Sequence, residues 1–414
     1  MENYRPVEAG IPNLLPALKG KPNLVKFFIT LDEDVNVSAL EEAINRTVKT
    51  FPFIGKKIEG RDGVYYYADN PLPFVISEGL QEVNPFLPEG NFHSITFSYE
   101  KNKLCILIDH ILFDGTGMKN VLEIIFYHYF CIVDNKIYDV PKGVFVENVE
   151  GLTDEPFTKK FETDDSPIFD NNSSTTDFFR FPELDISQDL LKATELITVS
   201  ADSAEFMRYV KSVGGTPLSA MASLFFTIFQ KAHPENDKPL KNLTSVSVRG
   251  ITETPDTILN AAYILSYHST PENALKVDAE SERAKNIELR NILKRYKEPE
   301  NMKKIANNLH DLNKQFQNWL KAPQTVAMPK IPVDIVSFYI VYFGTFHSGE
   351  YVKHFKRMQF FSSINPVYSC MIMELGNKFF INLRQPFHSD IYKNGLIDEL
   401  QKRGVTSARL EIER

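Results

Sequence analysis

The polar and apolar positions of this chain fall into alternating, helical and unbroken runs, and each kind of run predicts an element. "NLVKFFITLDEDV" (Asn23 to Val35) reads as a strand. In "SALEEAINRTVKTF", Leu40, Ile44 and Val48 recur at i, i+4 and i+8, the stripe of an amphipathic helix. Ser38 is the expected N-cap, Glu41 would complete a capping box, and Pro52 marks the stop. "KKIEGRDGVYYYAD" predicts a hairpin turning at Asp62–Gly63. "HSITFSYE" and "NKLCILIDH" are two further strands, and the second is almost continuously apolar from Leu104 to Ile108, as in a strand covered on both faces. "MKNVLEIIFYHYF" predicts a helix with Val121, Leu122, Ile125, Phe126 and Tyr129 on one face.

The rhythm then stops. From about Pro141 to Pro182 the chain is aperiodic and rich in Asp, Glu, Asn, Ser, Thr and Pro, the pattern of a linker or a functional crossover. This places a division between residues 1–165 and 166–414. Beyond it the pattern restarts: strand and helix in "LLKATELITVSADSAEFMRYVKSVG", then a helix in "GGTPLSAMASLFFTIFQKAH" with Thr216 near its start. "LTSVSVRG" is a strand ending at Arg249, and a long charged helical region follows, broken near Pro299. "DIVSFYIVYFGTF", a hairpin turning at Gly376–Asn377 and a closing amphipathic helix complete the order. Both parts mix strands and helices in similar order, which predicts an α/β (α+β) protein of two related lobes.

Length supports the same division, since 414 residues exceed one ordinary core. A net charge of −8 leaves no reason to expect a nucleic-acid or anionic-membrane partner. No apolar stretch approaches the ~20 residues needed to span a bilayer; "LSAMASLFFTIF" suits a core helix. The N-terminus lacks a basic region followed by an apolar one, so no secretion signal is expected. Cys105, Cys131 and Cys370 are scattered without metal spacing and read as reduced thiols of a cytoplasmic protein.

The candidate chemistry sits in "LCILIDHILFDGTG" (Leu104 to Gly117). His110 stands at the end of a strand expected to be central, where sheets commonly open onto a ligand crevice. Gly115 and Gly117 argue for a turn rather than a helix, and Asp114 within that turn would lock the ring or the loop. An imidazole beside a carboxylate suits a general base at neutral pH, acting on a hydroxyl, amine or thiol of a substrate. A core histidine satisfied within the protein is the competing reading. There is no G-x-S-x-G elbow, no G-x-G-x-x-G after a strand and no Walker-type loop. No His or Cys cluster would complete a metal site around His110.

His110, Asp114 and Gly115 match the H-x-x-x-D-G motif, and the chain resembles the chloramphenicol acetyltransferase-like superfamily of CoA-dependent acyltransferases. That group includes alcohol acetyltransferases and the condensation domains of nonribosomal peptide synthetases. "FFITLDEDVNVSALEEAINRTVKTFPFIGKKI" resembles the family's opening strand, helix and proline-ended segment, "GGTPLSAMASLFFTIFQKAH…LTSVSVRG" the opening of its second lobe, and "VYFGTF" a strand beside its tunnel. The resemblance implies two α/β sandwich lobes with mixed sheets and an active-site tunnel between them. An acyl-CoA co-substrate would enter from one face and an alcohol or amine acceptor from the other, with no bound cofactor or metal. His110 would be the base, Asp114 a structural residue paired with Arg249, and Gly115 a close-packing or N–H-donating residue of the wall. Tyr342 and Thr345 lie in the segment that would serve the oxyanion. Asp109 occupies the place where condensation domains usually carry a second histidine, and the D-F-G-W-G signature of plant enzymes is absent, the lone Trp319 lying elsewhere. The chain has no attached carrier domain, which suits free acyl-CoA, with an acyl-carrier protein thioester as the alternative donor and a non-catalytic binding protein as the alternative role. Lys303 and Lys304 are candidates for a phosphate site, against the simpler reading of a solvated helix face.

Overall fold

The computed structural model describes residues 22–147, 150–169, 177–186, 194–322, 336–363 and 368–411, together with 5–8, 10, 13, 14 and 17. In chain order the strands are β1 (Arg5–Pro6), β2 (Leu24–Leu31), β3 (Lys57–Arg61), β4 (Val64–Ala68), β5 (Ile76–Glu78), β6 (Ile95–Glu100), β7 (Lys103–Asp109), β8 (Glu195–Asp202), β9 (Leu240–Ser247), β10 (Ala262–Ser269), β11 (Phe338–Phe346), β12 (Phe355–Ser362), β13 (Tyr368–Leu375), β14 (Lys378–Gln385) and β15 (Arg409–Leu410). The longer helices are α1 (Val37–Thr50), α2 (Gly115–Val133), α3 (Ser203–Ser212), α4 (Pro217–Ala232), α5 (Ala279–Tyr296), α6 (Pro299–Lys321) and α7 (Asp390–Lys402).

The strands form two principal mixed sheets. One runs β12-β2-β7-β6-β5, the other β10-β9-β11-β13-β14-β8-β15, and a small sheet β1-β4-β3 stands apart. β7 lies at the centre of the five-stranded sheet, and Leu104 to Asp109 are all buried. Its apolar run therefore has helices or chain on both faces, which explains the lack of alternation. Two cores follow from this layering. The first gathers Phe27, Ile106, Ile108, Val121, Ile125 and Phe126, and the second Val199, Phe206, Phe225, Phe229, Ile372 and Ile381.

Local signals explain most boundaries. Asp62 and Gly63 take φ of 50° and 73°, the left-handed pair a tight two-residue hairpin needs. Pro299 begins α6 at a position that needs no N–H, so it starts a helix while breaking the charged run. Thr216 caps α4 in a reciprocal capping box with Ser219. Two expectations change. The cap of α1 is Asn36, whose side chain accepts from Ala39 N, and Ser38 lies inside the helix; the helix starts one residue before the expected cap because Asn36 already satisfies an end N–H. The glycines after Asp114 do not make a turn either. Asp114 is itself an N-cap, accepting from Gly117 N at 3.0 Å, and Gly115 is the first residue of α2.

Besides the crossover between β7 and β8, a strand links the two sheets. After β11 the chain leaves the seven-stranded sheet and lays β12 antiparallel to β2, with Phe360 opposite Phe27. It then returns as β13, parallel to β11. The crossover between two neighbouring parallel strands is thus itself a strand of the other sheet. Of the cysteines, Cys105 and Cys370 are buried, Cys131 is half-buried, and all three are free thiols.

Candidate active site

β7 ends at Asp109, and the next five residues carry the motif into α2. Ile111, Leu112 and Phe113 are fully buried, so the loop is anchored by apolar side chains between its polar ends. Its backbone is tied to the segment after β9: Phe113 bridges Leu259, and Asn260 N donates to the Leu112 carbonyl at 3.1 Å. Gly117 makes this approach possible. A Cβ there would stand 1.9 Å from the Ile258 carbonyl oxygen, closer than any atom can come. At Gly115 a Cβ would meet only the Phe343 ring, at 3.0 Å.

Asp114 and Arg249 form the polar anchor beneath the loop. Arg249 Nη1 and Nη2 each donate to one carboxylate oxygen at 2.7 Å, a bidentate fork. Arg249 Nε donates to Thr257 O at 2.8 Å, Nη2 to Leu259 O at 2.8 Å and Nη1 to Ser247 Oγ at 3.1 Å, so all five N–H groups are used. The carboxylate also accepts from Gly117 N and, at 3.1 Å, from Ala261 N. Burial alone would raise the Asp114 pKa, but the Arg249 charge and these hydrogen bonds overcome it and hold the carboxyl below its ordinary range. Asp114 is therefore committed to the scaffold by its bonds to Arg249, Gly117 and Ala261.

His110 is placed by its backbone. Its N–H donates to the Asn23 carbonyl at 2.8 Å, and its own carbonyl accepts from Asn13 Nδ2 at 3.0 Å. Burial lowers the imidazole pKa, against smaller upward pulls from the Asp114 carboxylate and the residue's own carbonyl. Burial thus favours the neutral form of the ring. Nδ1 is buried without a hydrogen-bond partner, while the residue reaches a cavity of about 200 Å³. Asn13, Asn23, Tyr339, Asn260 and Ser362 are polar residues of that cavity, and Val25, Leu243, Ile264 and Met371 supply much of its apolar wall.

A second cavity, of about 530 Å³, adjoins the first. The two share Asp114, Gly115, Ser245, Ala262, Val341 and Phe343, so they adjoin along residues of β9 and β11. β9 and β11 pair only at Asn242 and Leu243, which leaves their later residues free to line this space. Arg290 and Lys294 of α5 and Lys297, the residue that caps its C-terminus, line the outer cavity at spacing i, i+4 and i+7. Thr216, Pro217 and Leu218, at the N-terminus of α4, face it from the other side. Cationic side chains and a helix N-terminus together favour an anion.

The remaining sequence candidates separate. Tyr342 lines the outer cavity without reaching the one that holds His110. Thr345 lines neither, and its hydroxyl donates to Glu374 at 2.9 Å. Lys303 meets Glu300 at 3.5 Å, while Lys304 is buried against Asp164 and Ser166 and so is not part of a solvated face. The sequence reading did not single out Asn13, Asn23, Ser245, Tyr339 or the α5 cations. The i, i+4, i+7 spacing of the cations was a readable signal; the others depend on pairing between distant strands.

No family model matches the sequence, and no curated protein matches it by sequence. Solved structures match in three dimensions. TRI101 from F. sporotrichioides, complexed with coenzyme A and T-2, gives a TM-score of 0.61 at 12% identity over 99% of this chain and 100% of that one. TRI3 trichothecene 15-O-acetyltransferase from Fusarium sporotrichioides gives 0.58 at 12% identity, covering 98% and 95%. The epimerization domain from the third module of tyrocidine synthetase B gives 0.55 at 11% identity, covering 98% and 96%. Likeness along whole chains at such identity is likeness of architecture: the chain has the two-lobed α/β fold of the CoA-dependent acyltransferases and condensation-domain-like proteins.

Proposed function

We propose that this protein is an acyltransferase that moves an acyl group from acyl-CoA to a hydroxyl or amine of a small acceptor, with His110 as general base. The observation that carries this reading is that His110 lines a cavity sharing six residues with a second one bordered by Arg290, Lys294 and Lys297. A neutral ring can take the acceptor's proton as its oxygen or nitrogen attacks the thioester carbonyl. The tetrahedral intermediate then expels the CoA thiolate, which regains the proton from the imidazolium. The outer cavity suits the donor, with Arg290, Lys294 and Lys297 against its phosphates and the thioester reaching inward past Gly115. The smaller cavity suits the acceptor. Its ~200 Å³ lies below the usual range of ligand pockets, which favours a small acceptor or the reacting end of a larger one. Tyr339, whose hydroxyl meets Ser245, and Ser245 itself line His110's cavity and are nearer candidates for the oxyanion than Tyr342 or Thr345. The fold shared with structures holding coenzyme A supports the same donor.

The cationic mouth also suits the phosphopantetheine of an acyl-carrier protein, which is the second reading. The test is thiol release from a panel of acyl-CoAs, acetyl included, with mixed alcohols and amines. Acceptor-dependent release should fall by ~10²–10⁴-fold in a folded His110→Ala variant. Undiminished turnover in that variant would remove His110 as the base. Transfer from acyl-carrier protein with none from acyl-CoA would move the assignment to the second reading, and no transfer from either would leave a binding protein.

A further inference from the structure

Helix α5 borders two separate spaces. Arg290 and Lys294 line the outer cavity, whereas Lys285, Leu289 and Ile292, at i, i+4 and i+7, line another cavity of about 100 Å³ that shares no residue with it. Ser223 and Phe226, about one turn apart on α4, supply more of its wall. β10 and the short helix Pro271–Leu275 contribute the rest.

Lys285 is a buried cation with little to hold its charge. Among the described residues it joins no ion pair, and its Nζ donates to the Ala274 carbonyl at 3.5 Å, the outer limit of a hydrogen bond. An ammonium carries three donors, and burying it costs stability unless it is paired and hydrogen-bonded. Glu282 and Asp278 attract the charge, while Arg403 and Lys231 oppose it. Glu282 is already engaged, accepting from Arg403 Nε at 2.6 Å and from the Tyr209 hydroxyl at 3.0 Å. Burial is the largest effect and brings the Lys285 pKa down to about 8.

Ser223 adds a second group of the same kind. Its Oγ is buried and has no hydrogen-bond partner. A serine within a helix can turn its hydroxyl back onto the carbonyl of the preceding turn, and this one does not. An ammonium and a hydroxyl, both donors, therefore stand in the wall of one cavity. Phe226, Leu289 and Ile292 make the rest of that wall largely apolar, and Glu288, exposed at its edge, disfavours a ligand of high negative charge. The volume is that of several water molecules and lies below the range of ordinary cofactor pockets.

We propose that this cavity binds a short-chain carboxylate of the size of acetate or propionate, with the Lys285 ammonium and the Ser223 hydroxyl on its oxygens and Phe226, Leu289 and Ile292 around its alkyl end. The anion supplies the opposite charge that Lys285 otherwise lacks. Binding is coupled to a proton, because near pH 8 the lysine is half deprotonated and is recharged as the carboxylate arrives. The other titratable ring of the cavity, His268, is held below the ordinary histidine range by burial and by Lys241, so it does not contribute to that uptake. The site stands apart from the motif, and the proposal does not depend on the transferase assignment.

The test is isothermal titration calorimetry of the full-length protein with sodium acetate, sodium propionate and sodium chloride at pH 8 and matched ionic strength. Acetate and propionate should bind with a Kd of about a millimolar, within reach of ligands of about five heavy atoms. Titrations in buffers of different ionisation enthalpy should show an uptake of about half a proton per ligand, the value for a pKa of about 8. Lys285→Met should abolish both the binding and the uptake. Ser223→Ala should weaken binding about tenfold and keep the uptake. Met removes a buried charge, so Lys285→Met should fold; if it does not, Ser223→Ala carries the test. Carboxylate bound equally well by the variants lies elsewhere in the molecule and overturns the proposal. So does chloride that binds as strongly as acetate, or an absence of carboxylate binding far above a millimolar, which would leave the cavity to water. Each of these outcomes is read without any transfer assay.

Discussion

Replacing Asp114 by Asn separates the ion pair beneath the site from every other function of that side chain. Asparagine is as good an N-cap as aspartate, so the contact to Gly117 N can survive. The charge cannot. Arg249 would keep Thr257 O, Leu259 O, Ser247 Oγ and the bond to Oδ1 but lose its bond to the second oxygen and the opposite charge, leaving a cation in a place only 8% exposed. The amide's NH₂ would replace the oxygen that accepts from both Arg249 Nη1 and Ala261 N, donor against donor. Breaking a buried pair in this way costs ~3–5 kcal/mol. At a few degrees per kcal/mol, thermal unfolding should move down by ~5–15 °C. The assay is thermal and urea unfolding of wild type, Asp114→Asn, Arg249→Met and the double variant. The double variant should be less damaged than the sum of the two, because neither charge is left alone. The pH dependence has a definite sign. Asp114 is held below its ordinary value in the folded state, so its stabilisation is present above pH ~4 and is lost as pH falls through the folded pKa. Asp114→Asn should therefore lose that part of the acid sensitivity. An unchanged unfolding midpoint combined with a raised acceptor KM would refute the scaffold role and make Asp114 a substrate contact.

Three further outcomes follow from the same structure. Exchanging Arg290 and Lys297 for Ala should raise KM for acyl-CoA about tenfold or more and flatten its salt dependence, with the acceptor KM unmoved; steady-state kinetics at two ionic strengths checks this. Gly117→Ala should destabilise by more than 3 kcal/mol in chemical unfolding, because its Cβ meets backbone, whereas Gly115→Ala meets a ring that can rotate and should mainly alter KM. Asp109 is buried, with Oδ2 unpartnered, and burial raises its pKa to about 7. Its folded pKa lies above the unfolded one, so this contribution is fully present below about pH 4 and is lost as pH rises to about 7; Asp109→Asn should make unfolding less sensitive to pH between about 4 and 7, by up to ~4 kcal/mol.

What the sequence made legible were features encoded within a few residues. The uninterrupted apolar run of β7 announced a covered strand, and Asp62–Gly63 a tight hairpin. His110 was visible because a titratable ring is conspicuous at the end of such a run. Asp114 was misread locally: two glycines after it resemble a turn, yet both begin α2, since Gly117 must pass close to Ile258 and the helix continues through it. Asn13 and Asn23 were silent because a single amide in a short helical stretch or just before a strand has no periodic signature. Their meaning depends on β2 lying beside β7, a pairing between residues about eighty positions apart. Lys304 reads as a surface charge on its helix and is covered only because Asp164 and Ser166, from the aperiodic crossover, fold over it.

The strand β12 bears on how such a protein can be made or divided. Because it edges the first sheet while interrupting a parallel pair of the second, the two halves are laced rather than merely placed side by side. Material synthesised first, through α2, must wait with β2's outer edge unpaired until more than two hundred further residues have emerged. During that interval the edge is a site for pairing with a wrong chain, the hazard that exposed strands carry. Cutting the chain in the aperiodic stretch would leave the first fragment without its edge strand. Two such fragments mixed together should reassemble through β12, so that each serves as the other's template.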